Sequence, residues 1–428
     1  MSLGKQTMHT KIYGYLLLSL ISSSAFADFI EDSQVTLTAR NFYLDRNYTS
    51  PDVTQPAAKE WAQGFILSAK SGFTEGPVGL GIDVYAGTGI KLWGDKEHSL
   101  GTGLLPVNRP SLAPTDSYGE IGVTAKAKIS ETEIKAGTLF PLNPVLVGSP
   151  ARLLPQTYRG VALESKEFEQ VKLEAGYVDR VNHRDSTNYE KIRLSAANMK
   201  YASVETSGLH YVGGYYYLRP ETTFALYHAN LHEVYDQYTV WARNTHKIND
   251  EWSLYNDFRY FRTVDSGDSL AGNIDNHHGN MVFSLNKNNH KFSVGYIHNS
   301  GDTGFPYLSG GEANTYLDAW STDFLNPNEK AWSVRYDYDF KNQIPGLRLM
   351  TRYTKGYDIE LVNLVGDDRE LEERKFGVEL SYQIQTNTLK GLNIRLRHED
   401  YKNDFGPRAT FKTAKEQRVN IDYTWKFK

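Results

Sequence analysis

The sequence predicts an all-β fold, a transmembrane antiparallel β-barrel of about 18 strands with short periplasmic turns and long extracellular loops. Three observations predict it. The chain starts with an export signal, its side chains alternate between apolar and polar along many short segments, and its connections alternate in length. These features occur together in barrels that cross a membrane, because only every second residue of each strand meets lipid.

Residues 1–27 have the pattern of a cleaved secretory signal. Lys5 and Lys11 precede an apolar run at 15–21, and small residues follow up to Ala27. We therefore expect cleavage near Ala27, export through the periplasm, and a single barrel domain at 28–428. No later window approaches 18 consecutive apolar residues, which excludes transmembrane helices as the spanning elements.

The composition fits an exported protein that is not held together by disulfides, since the 428 residues contain no cysteine. Aromatic residues make up 13% of the chain and glycine occurs 35 times, which is compatible with a barrel that carries aromatic girdles. On composition alone, a soluble secreted β-sandwich or propeller would also be possible. The pattern along the chain decides between these classes.

Alternation separates an apolar face from a polar face, because successive side chains of a strand point to opposite sides. The clearest segments are 77–86, 120–129, 375–384 and 418–427. In the second of these, Ile121 and Val123 lie on the face opposite Lys126. The last segment ends on Phe427, as the terminal aromatic residue of such barrels requires, but Lys428 follows it.

Long and short connections take turns along the whole chain and divide it into eighteen strands with nine outer loops and eight inner turns. An even strand number places both termini at the periplasmic rim. A propeller would instead repeat in blocks of four strands. Two outer loops, 140–157 and 300–329, are long enough to fold into the barrel and narrow it. The segment 189–203 also alternates, but we interpret it as part of a loop.

Arg395 and Arg397 lie two residues apart, so both side chains point to the same face of a strand. A charge on the lipid face costs about 2–4 kcal/mol at the midplane, so this face must line the lumen. The same argument places further cations inward: Arg40, Arg335, Arg348, Arg352, Lys375 and Arg418. Together they predict a cationic wall for anionic solutes. Alternatively, each cation pairs with a lumenal carboxylate such as Asp337, Asp339 or Asp422.

Several segments resemble the OprD family of substrate-specific outer-membrane porins of Gram-negative bacteria. They are FIEDS at 29–33, ARNFYLDR at 39–46, WAQGFILSAKSGFTEGPVGLGIDVYAGTGIKL at 61–92, GTGLLPV at 101–107, RLLPQT at 152–157, LEAGY at 173–177, EKAWSVRYDYDF at 329–340 and PGLRLMTRY at 345–353. The resemblance implies an eighteen-stranded barrel with an arginine ladder, a narrow eyelet formed partly by inward loops, and uptake of small carboxylate-bearing nutrients. Members that prefer basic amino acids also admit carbapenem antibiotics.

By its motifs, the resemblance assigns the ladder to Arg40, Arg152, Arg395, Arg397 and Arg418. It also assigns the two eyelet acids to Glu312 and Asp323, the first a glutamate where the family suggests aspartate. The longer side chain makes recognition of a cationic amine less secure than recognition of a carboxylate.

The resulting hypothesis is an outer-membrane channel for amino acids, dipeptides and related carboxylates, embedded in lipid and lipopolysaccharide as a monomer or loose trimer. We expect no cofactor, metal or nucleic-acid partner. The main alternative is a barrel enzyme, a protease or lipase, with its site at the outer rim. Its candidate residues are His228, Asp257, His277 and His278, the last two placed in an outer loop. An adhesion or structural barrel would not need inward cations.

Overall fold

The computed structural model of the chain describes residues 27–50, 53–316, 320 and 322–428. These residues form a closed antiparallel β-barrel of eighteen strands with very little helix, which confirms the predicted fold class. The predicted signal peptide lies outside the described residues except for Ala27. Within the described part of the chain, no helix is long and apolar enough to cross a membrane.

The described residues form 22 strands, of which β6, β7, β10 and β11 are short and lie in loops. The strands are β1 (Gln34–Tyr48), β2 (Ala57–Lys70), β3 (Gly79–Trp93), β4 (Ser117–Ile129), β5 (Thr132–Leu139), β6 (Leu142–Asn143), β7 (Leu146–Val147), β8 (Thr157–Phe168), β9 (Val171–Asn182), β10 (Tyr189–Arg193), β11 (Glu205–Thr206), β12 (Leu209–Arg219), β13 (Thr222–Leu231), β14 (Tyr235–Lys247), β15 (Trp252–Asp265), β16 (Asp275–Lys287), β17 (His290–Ser300), β18 (Lys330–Asp339), β19 (Leu347–Ile359), β20 (Leu371–Gln383), β21 (Asn393–Asn403) and β22 (Ala414–Lys426). The helices are α1 (Ala27–Glu31), α2 (Val362–Val365) and a 3-10 turn at Ala197–Met199.

The barrel closes because β1 pairs with β2 along one edge and with β22 along the other. Alternation along the strands then sorts the side chains as the sequence indicates. On β4, Ile121 is 77% exposed and Val123 49% exposed on the outer surface, whereas Lys126 is buried on the inner surface. Arg40 of β1 lies opposite Asp422 of β22 in the closing ladder, so the cationic face of these strands lines the lumen.

Outer loops that pack against one another inside the barrel include L3 (140–156), L4 (183–208) and L7 (301–329, described except for 317–319 and 321). The inward positions of L3 and L7 match the prediction, whereas the contribution of L4 was not predicted. One apolar cluster inside the barrel joins all three loops to the wall, with Leu146 from L3, Leu194 from L4, Leu308 from L7, and Leu231 and Tyr235 from the wall. Burying each such side chain contributes about 1.5–3 kcal/mol.

The inward course of L3 leaves a seam in the wall between β4 and β8. In the described chain, β4 pairs with β5 only from Thr124 downward, and residues 117–123 of β4 pair with β3 alone. At the seam, the hydroxyl of Thr157 in β8 donates a 2.6 Å hydrogen bond to the carboxylate of Glu120 in β4. Nearby, the hydroxyl oxygens of Tyr189 in β10 and Thr138 in β5 lie 2.9 Å apart. Side chains therefore bridge the seam where backbone hydrogen bonds end.

L7 is anchored to the wall by buried carboxyl groups at its end. Glu329 accepts hydrogen bonds of 2.9 Å from the backbone and from the side chain of Asn326. The same Asn326 amide donates to Glu373 of β20 at 3.0 Å. Burial, with repulsion from Glu373, raises the pKa of Glu329 well above its usual range. A negative charge on Glu329 is therefore disfavoured at this attachment.

We expect Val123→Arg to destabilise the barrel by about 2–4 kcal/mol, because Val123 lies midway along β4 on the lipid face. The matched control is Ile129→Arg on the same face at the end of β4, where the cost should fall to about 0–1 kcal/mol. Urea unfolding in phospholipid vesicles measures both values. Equal costs at the two positions would contradict the assignment of this face to lipid.

We expect the attachment of L7 to weaken as pH rises. A carboxyl group with a raised pKa stabilises the folded form fully below its ordinary pKa, and this contribution is lost as pH rises through the raised value. In single-channel recordings, current fluctuations should therefore increase at alkaline pH. Glu329→Gln should remove much of this dependence, and Glu360→Gln, at an exposed position on the neighbouring loop, should preserve it. An identical pH dependence in both variants would exclude the role of Glu329.

Candidate functional site: an arginine-lined eyelet

The candidate site is a cavity of about 560 Å³ between L3, L4, L7 and the wall formed by β1, β21 and β22. Its charged lining residues are Arg40, Arg152, Arg184, Arg395, Arg397, Arg418, Glu312, Asp323 and Asp422. The described lining thus contains six guanidinium groups and three carboxylates. The excess of positive charge favours a solute that carries a negative charge.

Seven of the ten residues predicted for the site line this cavity: Arg40, Arg152, Arg395, Arg397, Arg418, Glu312 and Asp323. The other three, Arg348, Arg352 and Lys375, lie elsewhere. Arg348 is at the start of β19 and bonds to Asp339 at 3.2 Å. Arg352 lies over the ring of Tyr316 at 5.3 Å. Lys375 is buried, with its ammonium group 5.0 Å from the ring of Phe324.

Arg397 and Arg418 lie directly opposite each other on β21 and β22. Like charges in this position destabilise a sheet unless other groups compensate. Arg397 forms an ion pair with Glu379, and Arg418 forms one with Glu416. The ring of Trp320 lies 5.1 Å from the Arg397 guanidinium, and its backbone carbonyl accepts a 3.2 Å hydrogen bond from Arg418. These contacts stabilise two adjacent cations at the cavity surface.

Asp422 interacts with two arginines at the same time, Arg40 and Arg395. Its Oδ1 accepts a 2.8 Å hydrogen bond from Arg40, and its Oδ2 lies 3.6 Å from a terminal nitrogen of Arg395. Arg40 also donates to the backbone carbonyl of Arg152 at 2.8 Å, which ties L3 to β1. Pairing with carboxylates, the alternative left open by the sequence, therefore applies here, but one carboxylate neutralises only one of the two cations.

Arg152 is buried and Arg184 is half-buried, and among the described residues neither forms an ion pair. Arg152 is 6% exposed, and its hydrogen bonds run to the backbone carbonyls of Thr102 at 2.9 Å and Ala151 at 3.0 Å. Burial lowers the pKa of the Arg152 guanidinium, and repulsion from Arg184 and Arg418 lowers it further. An anion placed beside these groups would relieve both effects, because it supplies the missing opposite charge.

Glu312 is connected to Arg184 through the hydroxyl group of Ser149. The hydroxyl of Ser149 donates to Glu312 Oε1 at 3.1 Å and accepts a 3.0 Å hydrogen bond from Arg184. The backbone N–H of Glu312 donates to the carbonyl of Val147 at 3.3 Å. This chain of contacts links L3, L4 and L7 at the rim of the cavity. Among the described residues, Glu312 forms no ion pair.

Asp323, the second predicted acid, is held by a lysine from another loop. The ammonium group of Lys200 in L4 lies 2.7 Å from Asp323 Oδ2, and both side chains are almost fully buried. The hydroxyl of Tyr307 donates to the same oxygen at 2.8 Å. Asp323 therefore lines the cavity as one half of a neutral pair.

Sequence reasoning missed Arg184, Lys200 and Trp320. Arg184 and Lys200 lie in L4 and Trp320 lies in L7, where no strand alternation indicates which way a side chain points. The only available signal was the length of L4, which is greater than that of L3 and slightly less than that of L7. Their positions follow from backbone contacts between loops, such as the antiparallel bridge from Leu194 to Leu308.

The residues considered for an enzyme are dispersed. The placement of His277 and His278 in an outer loop was wrong, because both belong to β16. They pair with different neighbours, His277 with the hydroxyl of Tyr260 at 2.6 Å and His278 with Asn299 at 2.8 Å. Asp257 is bound to Arg259, and His228 to Asp236. No group of metal-ligating side chains occurs in the described part of the chain.

Comparison with known proteins identifies relatives over nearly the full length. A family model described as outer membrane porin, OprD family, matches residues 27–427. The crystal structure of OccAB2 from Acinetobacter baumannii is 50% identical, has a TM-score of 0.89, and the match covers 94% of this chain and 100% of that one. Porin D from Pseudomonas aeruginosa is 33% identical over 388 residues, 86% of each chain. The porin-like protein GalP from Pseudomonas putida is 30% identical over 422 residues, 98% of each chain.

These relatives include porins, and the match to the family model, over residues 27–427, spans the barrel strands and the inward loops of this chain. The comparison supports a transport role over the enzyme alternative, and it confirms the predicted location in the outer membrane. The chain belongs to the OprD family of outer-membrane porins and is a substrate-specific channel of that membrane.

Proposed function

We propose that the eyelet conducts small solutes that carry a carboxylate, including amino acids and dipeptides, and that carbapenem antibiotics enter by the same route because they also carry one. The observation that supports this most directly is the state of two arginines, Arg152, which is buried, and Arg184, which is half-buried: among the described residues, neither forms an ion pair with a carboxylate. A solute carboxylate would complete their coordination during passage.

The spacing of the remaining arginines suits a solute that moves from one contact to the next. Side chains on one face of a strand are about 6.6 Å apart, and adjacent strands about 4.8 Å. Arg395, Arg397 and Arg418 occupy neighbouring positions of this kind on β21 and β22. A charge pair at 4 Å is worth on the order of 4 kcal/mol at an effective dielectric constant of 20. Several sites of this strength attract an anion and still release it.

We expect carboxylates to enter protein-containing liposomes faster than a neutral sugar of similar mass. A swelling assay with glutamate, arginine, a dipeptide and the sugar would measure the rates, with protein-free liposomes as the control. Equal rates for charged and neutral solutes would contradict carboxylate selection.

Replacing Arg395 and Arg397 together by Gln should reduce glutamate swelling by roughly tenfold, which corresponds to about 1.4 kcal/mol of lost attraction. It should also shift the reversal potential in a salt gradient away from anion preference. Arg348→Gln with Arg369→Gln is the matched control, since it removes two exposed positive charges outside the eyelet. If both double variants change permeation equally, the change results from the net charge of the protein, and a specific role of Arg395 and Arg397 in permeation is excluded.

A further inference from the structure

Lys200 is a buried cation beside the eyelet cavity that does not belong to the arginine ladder. It follows the 3-10 turn Ala197–Met199 in L4 and extends its side chain to L7. Its ammonium group donates to Asp323 Oδ2 at 2.7 Å and to the backbone carbonyl of Leu325 at 3.3 Å. Lys200 is 1% exposed at its side chain and Asp323 is 4% exposed. The two side chains are therefore in direct contact and shielded from water.

This contact changes the electrostatics of the eyelet. An unpaired Asp323 would attract the ammonium or guanidinium group of a passing solute, since a carboxylate in a poorly solvated site interacts strongly with a nearby cation. With Lys200 beside it, the two charges form a dipole whose field falls off faster with distance. Glu312 is then the only carboxylate of the described cavity lining without an ion-pair partner, because Asp422 is paired with Arg40.

We propose that Lys200 is a specificity-determining residue, which neutralises Asp323 and so makes the eyelet favour carboxylates without a basic group over basic amino acids. This inference rests on the proposed carboxylate selection and narrows it. Lys200 acts by positioning and compensating Asp323 and need not touch the solute itself. Lys200 and the hydroxyl group of Tyr307 contact Asp323 directly, and the buried carboxyl groups of Glu329 and Glu373 lie close enough to interact with it electrostatically.

The test compares arginine and glutamate permeation in Lys200→Met. This variant keeps the length of the side chain and removes its charge, so the arginine-to-glutamate ratio of swelling rates should rise by roughly tenfold. Lys191→Met, at an exposed lysine of the same loop, is the matched control and should keep the wild-type ratio. Heat modifiability on gels verifies that each variant forms a closed barrel.

A second variant separates loss of charge from displacement of a loop. Lys200→Met combined with Asp323→Asn removes both charges, so the ratio should return to near the wild-type value. An unchanged ratio in Lys200→Met would overturn the inference, as would a raised ratio that Asp323→Asn fails to reverse. Failure of the proposed carboxylate selection would give a different result from failure of this inference: liposomes containing the wild-type protein would then admit glutamate no faster than a neutral sugar.

Discussion

The closure of the sheet is the constraint on which the rest of the structure depends. In the bilayer there is no water to satisfy backbone N–H and C=O groups, so a sheet must end by pairing with its own first strand. Here β22 pairs with β1 over thirteen residue pairs, from Thr36 with Lys426 to Tyr48 with Ala414. Closure at eighteen strands gives a barrel too wide to discriminate between small solutes. Selectivity must therefore come from what fills the lumen.

The inward loops fill the lumen with a core of their own. L3, L4 and L7 bury apolar side chains against the inner wall and against one another, and so create the dry surroundings that a soluble protein has in its interior. Charged groups at the boundary of such a core interact more strongly than they do in open water. The arginines of β21 and β22 face this boundary, so the same loops that narrow the passage also strengthen its electrostatics.

The barrel could be predicted from the sequence because lipid and water impose a period of two on every strand. The side chains of Arg40, Arg395, Arg397 and Arg418 were placed by this parity, and all four line the eyelet cavity. Arg152, Glu312 and Asp323 came from motif resemblance. The pairing of Asp323 with Lys200 could not be predicted, since it joins two loops 123 residues apart whose directions no periodicity fixes. Arg184 could not be predicted for the same reason, since it also lies in a loop.

The seam beside β4 has a mechanical consequence. Along residues 117–123, β4 has backbone pairing only with β3 among the described residues, and on its other side the Glu120 carboxylate accepts a hydrogen bond from the Thr157 hydroxyl of β8. Side-chain contacts yield at lower force than a cooperative ladder does. Under membrane tension or a pulling force, we therefore expect the wall to open more readily along this line than along an uninterrupted ladder.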